Sequence, residues 1–180
     1  MNMPGCLRSL CASLLLVPAL SACGLVPQFA SCEGTDAALA ELAKVPMLEL
    51  RPDGATPLGG GAAPAARCVE DTAGAWLTAG RLYAYSGSRT EVLEYYGRVA
   101  PAAGWRPVHD LDVGPDGRMA VFCFESRSRP SVTLAFNTAQ ELREFHDLDP
   151  GPEADGSGPR TWFSLSAEAD TDGSRMGCFG

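Results

Sequence analysis

The stretch Ala75-Trp76-Leu77-Thr78-Ala79-Gly80-Arg81-Leu82-Tyr83-Ala84-Tyr85, with Ser88-Arg89-Thr90-Glu91-Val92-Leu93-Glu94-Tyr95-Tyr96-Gly97-Arg98-Val99-Ala100 just after it, decides the fold of this chain. The first run reads as a strand. Ser88 and Glu91 have the S-x-x-E spacing of a capping box, in which each residue satisfies a backbone N–H beside the other. A helix therefore opens there, over Glu91–Ala100. Val92, Tyr96 and Val99 recur at i, i+4, i+7 and share a face, with Leu93 and Ala100 beside them. Gly97 and Pro101 weaken its last turns, and Gly104 suits the left-handed cap that ends a helix. Trp105 begins the next strand.

Downstream the pattern is one of antiparallel strands. Arg106–Leu111 is the first, and Gly114-Pro115-Asp116-Gly117 is a turn. In Arg118–Glu125, Phe122 and Phe124 share one face and Val121 and Cys123 the other. Val132, Leu134 and Phe136 alternate in Ser131–Phe136. Asn137–Phe145 suits a short helix with Asn137 as its cap, 149–160 is a Gly/Pro/Asp-rich loop, and Thr161–Ala167 is the last strand. Upstream, residues 34–44 suit a helix with Ala38, Leu39, Leu42 and Ala43 on one face and Thr35 or Asp36 as cap. Pro46 ends it, Met47–Leu50 is a short strand, and 52–66 is a surface loop. Its Gly59-Gly60-Gly61 lacks the Lys-Ser/Thr of a phosphate-binding loop. The expected fold is α+β: an antiparallel sheet packed by one main helix, plus an N-terminal helix stapled by disulfide.

The chain has 180 residues, 14 basic and 22 acidic, a formal charge of −8 and a pI near 4.7. That balance argues against a nucleic-acid partner and against a polybasic membrane patch. A hydrophobic content of 46% excludes wholesale disorder. A single Lys (Lys44), with abundant Arg, Gly, Pro and Ala, is the usage of a GC-rich bacterial genome.

The first residues carry an address. Arg8 precedes an apolar stretch that runs to about Ala22 and holds Pro18. It is shorter than the roughly 20 apolar residues that span a bilayer, so residues 1–22 read as a signal peptide. Leu20-Ser21-Ala22-Cys23 closes it and resembles the lipobox of bacterial lipoproteins. The resemblance implies a diacylglyceryl group on the thiol of Cys23 and cleavage before it. It also implies an extracytoplasmic, membrane-anchored protein, placed in the outer membrane if the source is Gram-negative, since Gly24 is not the Asp that retains such proteins at the inner membrane. Residues 23–31 become a lipidated tether too short to hold the domain, residues 32–180, far from the bilayer. Cleavage removes Arg8 and no acid, taking the formal charge to −9. A second resemblance lies in Val92-Leu93-Glu94-Tyr95-Tyr96-x-x-x-Ala100-x-x-x-Gly104-Trp105. It is similar to a helix motif of small exported bacterial lipoproteins, many of them actinobacterial, and implies no catalytic residue.

Processing sorts the seven cysteines. Cys6 and Cys11 leave with the signal peptide and Cys23 takes lipid. Cys32, Cys68, Cys123 and Cys178 remain, an even set in an oxidising compartment, which reads as two disulfides. Four cysteines allow three pairings. Cys32–Cys68 with Cys123–Cys178 is the one expected, tying the N-terminal helix to the next strand and the tail to a core strand; the other two stay open. No C-x-x-C spacing points to metal or redox chemistry.

Candidate chemistry is sparse. His109-Asp110-Leu111-Asp112 and His146-Asp147-Leu148-Asp149 echo one another, with a divalent-cation site as the sharp reading and turn chemistry as the favoured one. No G-x-S-x-G motif occurs. Tyr83, Tyr85, Tyr95, Tyr96, Trp105 and Trp162 either fill the core or line an apolar groove between helix and sheet. No catalytic residue, metal or cofactor is assigned. The expected function is non-enzymatic binding or scaffolding of an envelope partner. The alternatives are binding of a small apolar ligand and, behind it, an envelope hydrolase.

Overall fold

The computed structural model describes residues 30–59, 64–72, 74–111, 121–149 and 160–178. The signal peptide and nearly all of the tether, the Gly114–Gly117 turn with the Arg118–Ala120 start of the strand expected after it, most of the 149–160 loop and the last two residues lie outside them. The fold is α+β, as the sequence implies. Helix α1 (Asp36–Leu42) is followed by a 3₁₀ turn (Pro46–Glu49), β1 (Thr56–Pro57), β2 (Ala65–Asp71), β3 (Gly74–Tyr85), α2 (Arg89–Ala102), β4 (Arg106–Pro107), β5 (Val121–Glu125), β6 (Val132–Asn137), α3 (Ala139–His146) and β7 (Thr161–Asp170). The strands form one antiparallel sheet in the order β1-β3-β7-β6-β5-β4, with β2 alongside β1 on the free edge of β3.

The long strand β3 organises the core. Leu77, Ala79 and Tyr83 point to one face, and there they meet Phe163 and Leu165 of β7, Leu134 of β6 and Phe124 of β5. α2 closes this face with Val92, Leu93, Tyr96 and Ala100. Its capping box forms as the spacing implies: the Ser88 hydroxyl accepts from the Glu91 N–H and the Glu91 carboxylate accepts from the Ser88 N–H. The Ser88 N–H, joined by the Ser88 O–H at 3.0 Å, holds the Glu91 carboxyl below the usual carboxylate range. The helix runs two residues past Ala100 despite Pro101, whose missing N–H forfeits one backbone hydrogen bond close to the helix end. It ends in a Schellman motif: Gly104 has φ +91°, its N–H reaches the Pro101 carbonyl at 3.1 Å, and the Trp105 N–H reaches that of Ala100 at 2.9 Å. Trp105 is therefore part of the helix stop, and the strand after it is limited to Arg106–Pro107.

Four further expectations are corrected. Met47–Leu50 is no strand; Pro46 opens a 3₁₀ turn at a position where its missing N–H costs nothing. Met47 and Leu48 are both fully buried, which alternating strand geometry does not allow for consecutive residues on one core. The carbonyls of this segment are taken by core tyrosines: Tyr83 donates to Leu48 O and Tyr96 to Leu50 O, each at 2.6 Å. Arg81, nearly buried, adds a 2.9 Å ion pair to Glu49. The 52–66 loop is shorter than expected, since Thr56–Pro57 and the start of β2 add to the edge of β3. α3 is capped by Thr138, one residue after Asn137, which ends β6. Thr138 and Glu141 form a second capping box, a T-x-x-E spacing visible in the sequence. β7 also continues beyond Ala167 to Asp170, opposite Trp76.

Burial raises the hydroxyl pKa of Tyr83, Tyr95 and Tyr96, with desolvation the leading cause in each. The folded state thus favours the protonated phenol. Its contribution is complete below the ordinary tyrosine pKa of about 10 and falls away as pH rises above it, when only the unfolded chain releases the proton. Stability should drop above about pH 10 by roughly 1.4 kcal/mol per pH unit through Tyr96 alone. Urea midpoints taken on either side of pH 10 measure the slope. Tyr96→Phe should flatten it, and an unchanged slope in that variant would show the assignment to be wrong.

Candidate functional site

The four cysteines of the folded part are joined as Cys32–Cys68 and Cys123–Cys178, with Cα atoms 5.6 Å and 5.9 Å apart. The first bridge fastens the start of the described chain to edge strand β2. The second fastens the C-terminal tail to β5. Both thus serve as structural crosslinks. Cys23 lies outside the described residues.

The aromatic residues divide between core and rim. Tyr83, Tyr96 and Trp105 are fully buried and Trp162 nearly so. Tyr83 stacks on Phe163 at 5.2 Å and Tyr96 meets the same ring edge-on at 6.1 Å. Tyr85 and Tyr95 pack against this cluster from its margin. Between α2 and the sheet these side chains pack on one another as core. His109 and His146 stand apart as well: His109 follows β4 at one edge of the sheet, whereas His146 ends α3 beside β3 and β7, and Asp112 of the first segment lies outside the described residues. Among the described residues, no three His, Cys, Asp or Glu side chains gather as metal ligands.

The concave site lies on the other face of the sheet. That face carries the intervening residues of β3 and β7, paired as Thr78 with Glu168, Gly80 with Ser166 and Leu82 with Ser164. α3 covers only one end, where Leu142 packs on Leu82 and Trp162. Asp147 ends α3 in the left-handed conformation (φ 51°), and Leu148 N–H returns to Leu142 O at 3.0 Å, which lays Leu148 back toward the sheet. Beyond α3 the floor drops, because its residues are small: Thr78, Gly80, Ser164 and Ser166. A methyl group at Gly80 would stand 3.0 Å from the Leu165 carbonyl, so close strand contact also favours glycine there. The resulting groove has a volume of about 530 Å³ and is bordered by Leu58, Leu82 and Leu148 at one end. Arg67 of β2, opposite Thr78, stands at the other end, and His146 stands on the α3 rim.

Hydrogen bonding prepares this floor. Asn137 of β6 donates from Nδ2 to the Ser164 hydroxyl oxygen at 3.3 Å, which leaves the Ser164 O–H to act as a donor. A smaller hollow of about 200 Å³ lies further along the same face, beside the Cys123–Cys178 bridge, and Glu168 faces it. Phe145 of α3 is 74% exposed. None of the groove residues stood out as a site in the sequence, apart from His146 in the cation echo. The available signal was the alternation Trp162-Phe163-Ser164-Leu165-Ser166, in which two serines take the positions that a fully covered strand would fill with apolar residues. Among the described residues no helix is long and apolar enough to cross a membrane. Comparison with protein-family models, curated proteins and solved structures finds no match to this chain.

Proposed function

We propose that this chain is an extracytoplasmic lipoprotein, held at a membrane by a diacylglyceryl group on Cys23, whose domain binds an envelope partner or ligand without catalysing a reaction. The observation that carries the reading is Leu20-Ser21-Ala22-Cys23 placed directly after the apolar stretch of a signal peptide. Disulfide pairing of the other four retained cysteines supports it, since such bridges persist in oxidising compartments. The anchor acts through its two acyl chains, each buried methylene contributing about 0.8 kcal/mol, so attachment needs no basic patch on an acidic domain. The tether of residues 23–31 then keeps the domain near the bilayer.

The experiment is expression of the wild-type chain and of Cys23→Ala in a bacterial host fed radiolabelled palmitate. Wild type should carry label and sediment with membranes; Cys23→Ala should lose the label and, in whatever form it is exported, the lipid-dependent attachment. A Cys23→Ala protein still labelled and still extracted only by detergent would overturn the reading. Binding of a small ligand is favoured as the domain's role by the groove on the α3 face of the sheet. Its position differs from the helix–sheet interface where sequence reasoning looked for it.

A further inference from the structure

The groove has a direction. Along β3, from Leu82 through Gly80 to Thr78, its lining passes from apolar to hydroxyl-bearing over four residues, about 13 Å of strand. Leu58, whose N–H bonds Leu82 O at 2.8 Å, and Leu148 wall the apolar end. Thr78, Ser166 and the exposed cation Arg67 stand at the polar end. The neighbouring acid, Glu168, pairs with Thr78 from β7 and faces the separate hollow by the disulfide. A site walled by leucines at one end, floored by small residues and bearing an exposed guanidinium at the other end suits a ligand with an apolar part and an anionic end.

We infer that this groove binds a small anionic amphiphile, a carboxylate on an unbranched aliphatic chain, with the chain along Leu58, Leu82 and Leu148 over Gly80 and the carboxylate at Arg67. Its volume of about 530 Å³ falls in the range of small-molecule sites, roughly 300–1,000 Å³. Gly80 keeps the floor clear, since any side chain there would occupy the space between the two ends. The inference rests on the binding role proposed above and is independent of the anchor at Cys23.

The test titrates the full chain carrying Cys23→Ser, which cannot be acylated, with decanoate, decanol, butyrate and decyltrimethylammonium, following backbone amide shifts. Decanoate should saturate, with the largest shifts at Gly80, Ser164 and Ser166. Decanol, lacking the charge, and butyrate, lacking the chain, should each bind about tenfold more weakly or worse. Arg67→Gln, at an exposed position, should bring decanoate down to the level of decanol. Ser166→Leu should abolish binding of both by filling the floor, while Arg98→Gln, exposed on α2 at the other face of the sheet, should leave decanoate within about twofold. No saturable shift at these amides, equal binding of the decyltrimethylammonium cation, or full decanoate affinity in Arg67→Gln would each overturn the inference. Because the titrated chain is unacylated, a negative result here leaves the Cys23 anchor untouched, and loss of the anchor leaves this groove untouched.

Discussion

Reduction of the two disulfides should unfold most of the domain at temperatures where the oxidised protein is fully native. The bridges close loops with sequence separations of 36 and 55 residues. In the chain-entropy model each removes about 4 kcal/mol worth of unfolded-state freedom. Two such losses approach the whole stability of an ordinary domain, roughly 5–15 kcal/mol. The melting temperature should therefore fall by about 20 °C on reduction, at roughly 2–4 °C per kcal/mol for a domain of this size. The position of the bridges points the same way. Cys32–Cys68 holds the start of α1's segment on edge strand β2, whose residues are otherwise mostly exposed. Cys123–Cys178 holds a tail whose other ties are few, among them Ser131 Oγ to Met176 O at 2.8 Å and Arg175 to Ser126 O at 2.7 Å. The paired variants Cys32→Ala/Cys68→Ala and Cys123→Ala/Cys178→Ala should each lose about half of the total. Calorimetry with and without a reducing agent measures it, and a reduced protein melting within about 5 °C of the oxidised one would refute the account.

Replacing Trp105 by alanine should cost about 3–5 kcal/mol, the range for deleting a large buried aromatic. Trp105 is fully buried, and three unrelated features converge on it. Its backbone N–H closes the Schellman motif of α2. Its indole Nε1 donates to Pro130 O at 3.0 Å, across to the β5–β6 connection. The Arg129 guanidinium lies 4.9 Å from the ring centroid and also donates to Ala103 O at 3.1 Å. The ring therefore joins the end of α2 to a loop 25 residues later. Trp105→Phe keeps most of the apolar volume but orphans the Pro130 carbonyl, and should cost about 1–3 kcal/mol. Denaturation followed by circular dichroism separates the two variants; equal losses would mean that the hydrogen bond, and not the buried ring, holds the junction.

The parts of the fold legible in the sequence were those governed by local chemistry. The Ser88/Glu91 box, the apolar face of α2, Gly104 as its stop and the core strand β3 all follow from spacing and residue type. The parts that were not legible depend on partners far along the chain. Met47 and Leu48 look like a strand until Tyr83 and Tyr96 take the carbonyls around them from 35 and 46 residues away. β2 was hidden in a Gly/Pro-rich approach because its pairing energy comes from β3. The Thr138 cap was readable and was misplaced by one residue, since Asn137 satisfies the same preference. The open groove was the least legible of all. It arises from small residues on two strands brought into register, Gly80 against Ser166 with Thr78 and Ser164 to either side, and no single segment announces it.

The central claim is the division of labour among the cysteines: Cys23 carries lipid, and the other four retained cysteines pair. Intact-mass measurement of the protein extracted from membranes tests both halves at once. The account predicts a chain beginning at Cys23, heavier than the bare polypeptide by at least a diacylglyceryl group, and gaining about four hydrogens on reduction as two disulfides open. A chain beginning elsewhere, a mass with no added lipid, or a Cys23 thiol that reacts with an alkylating reagent before reduction would contradict it.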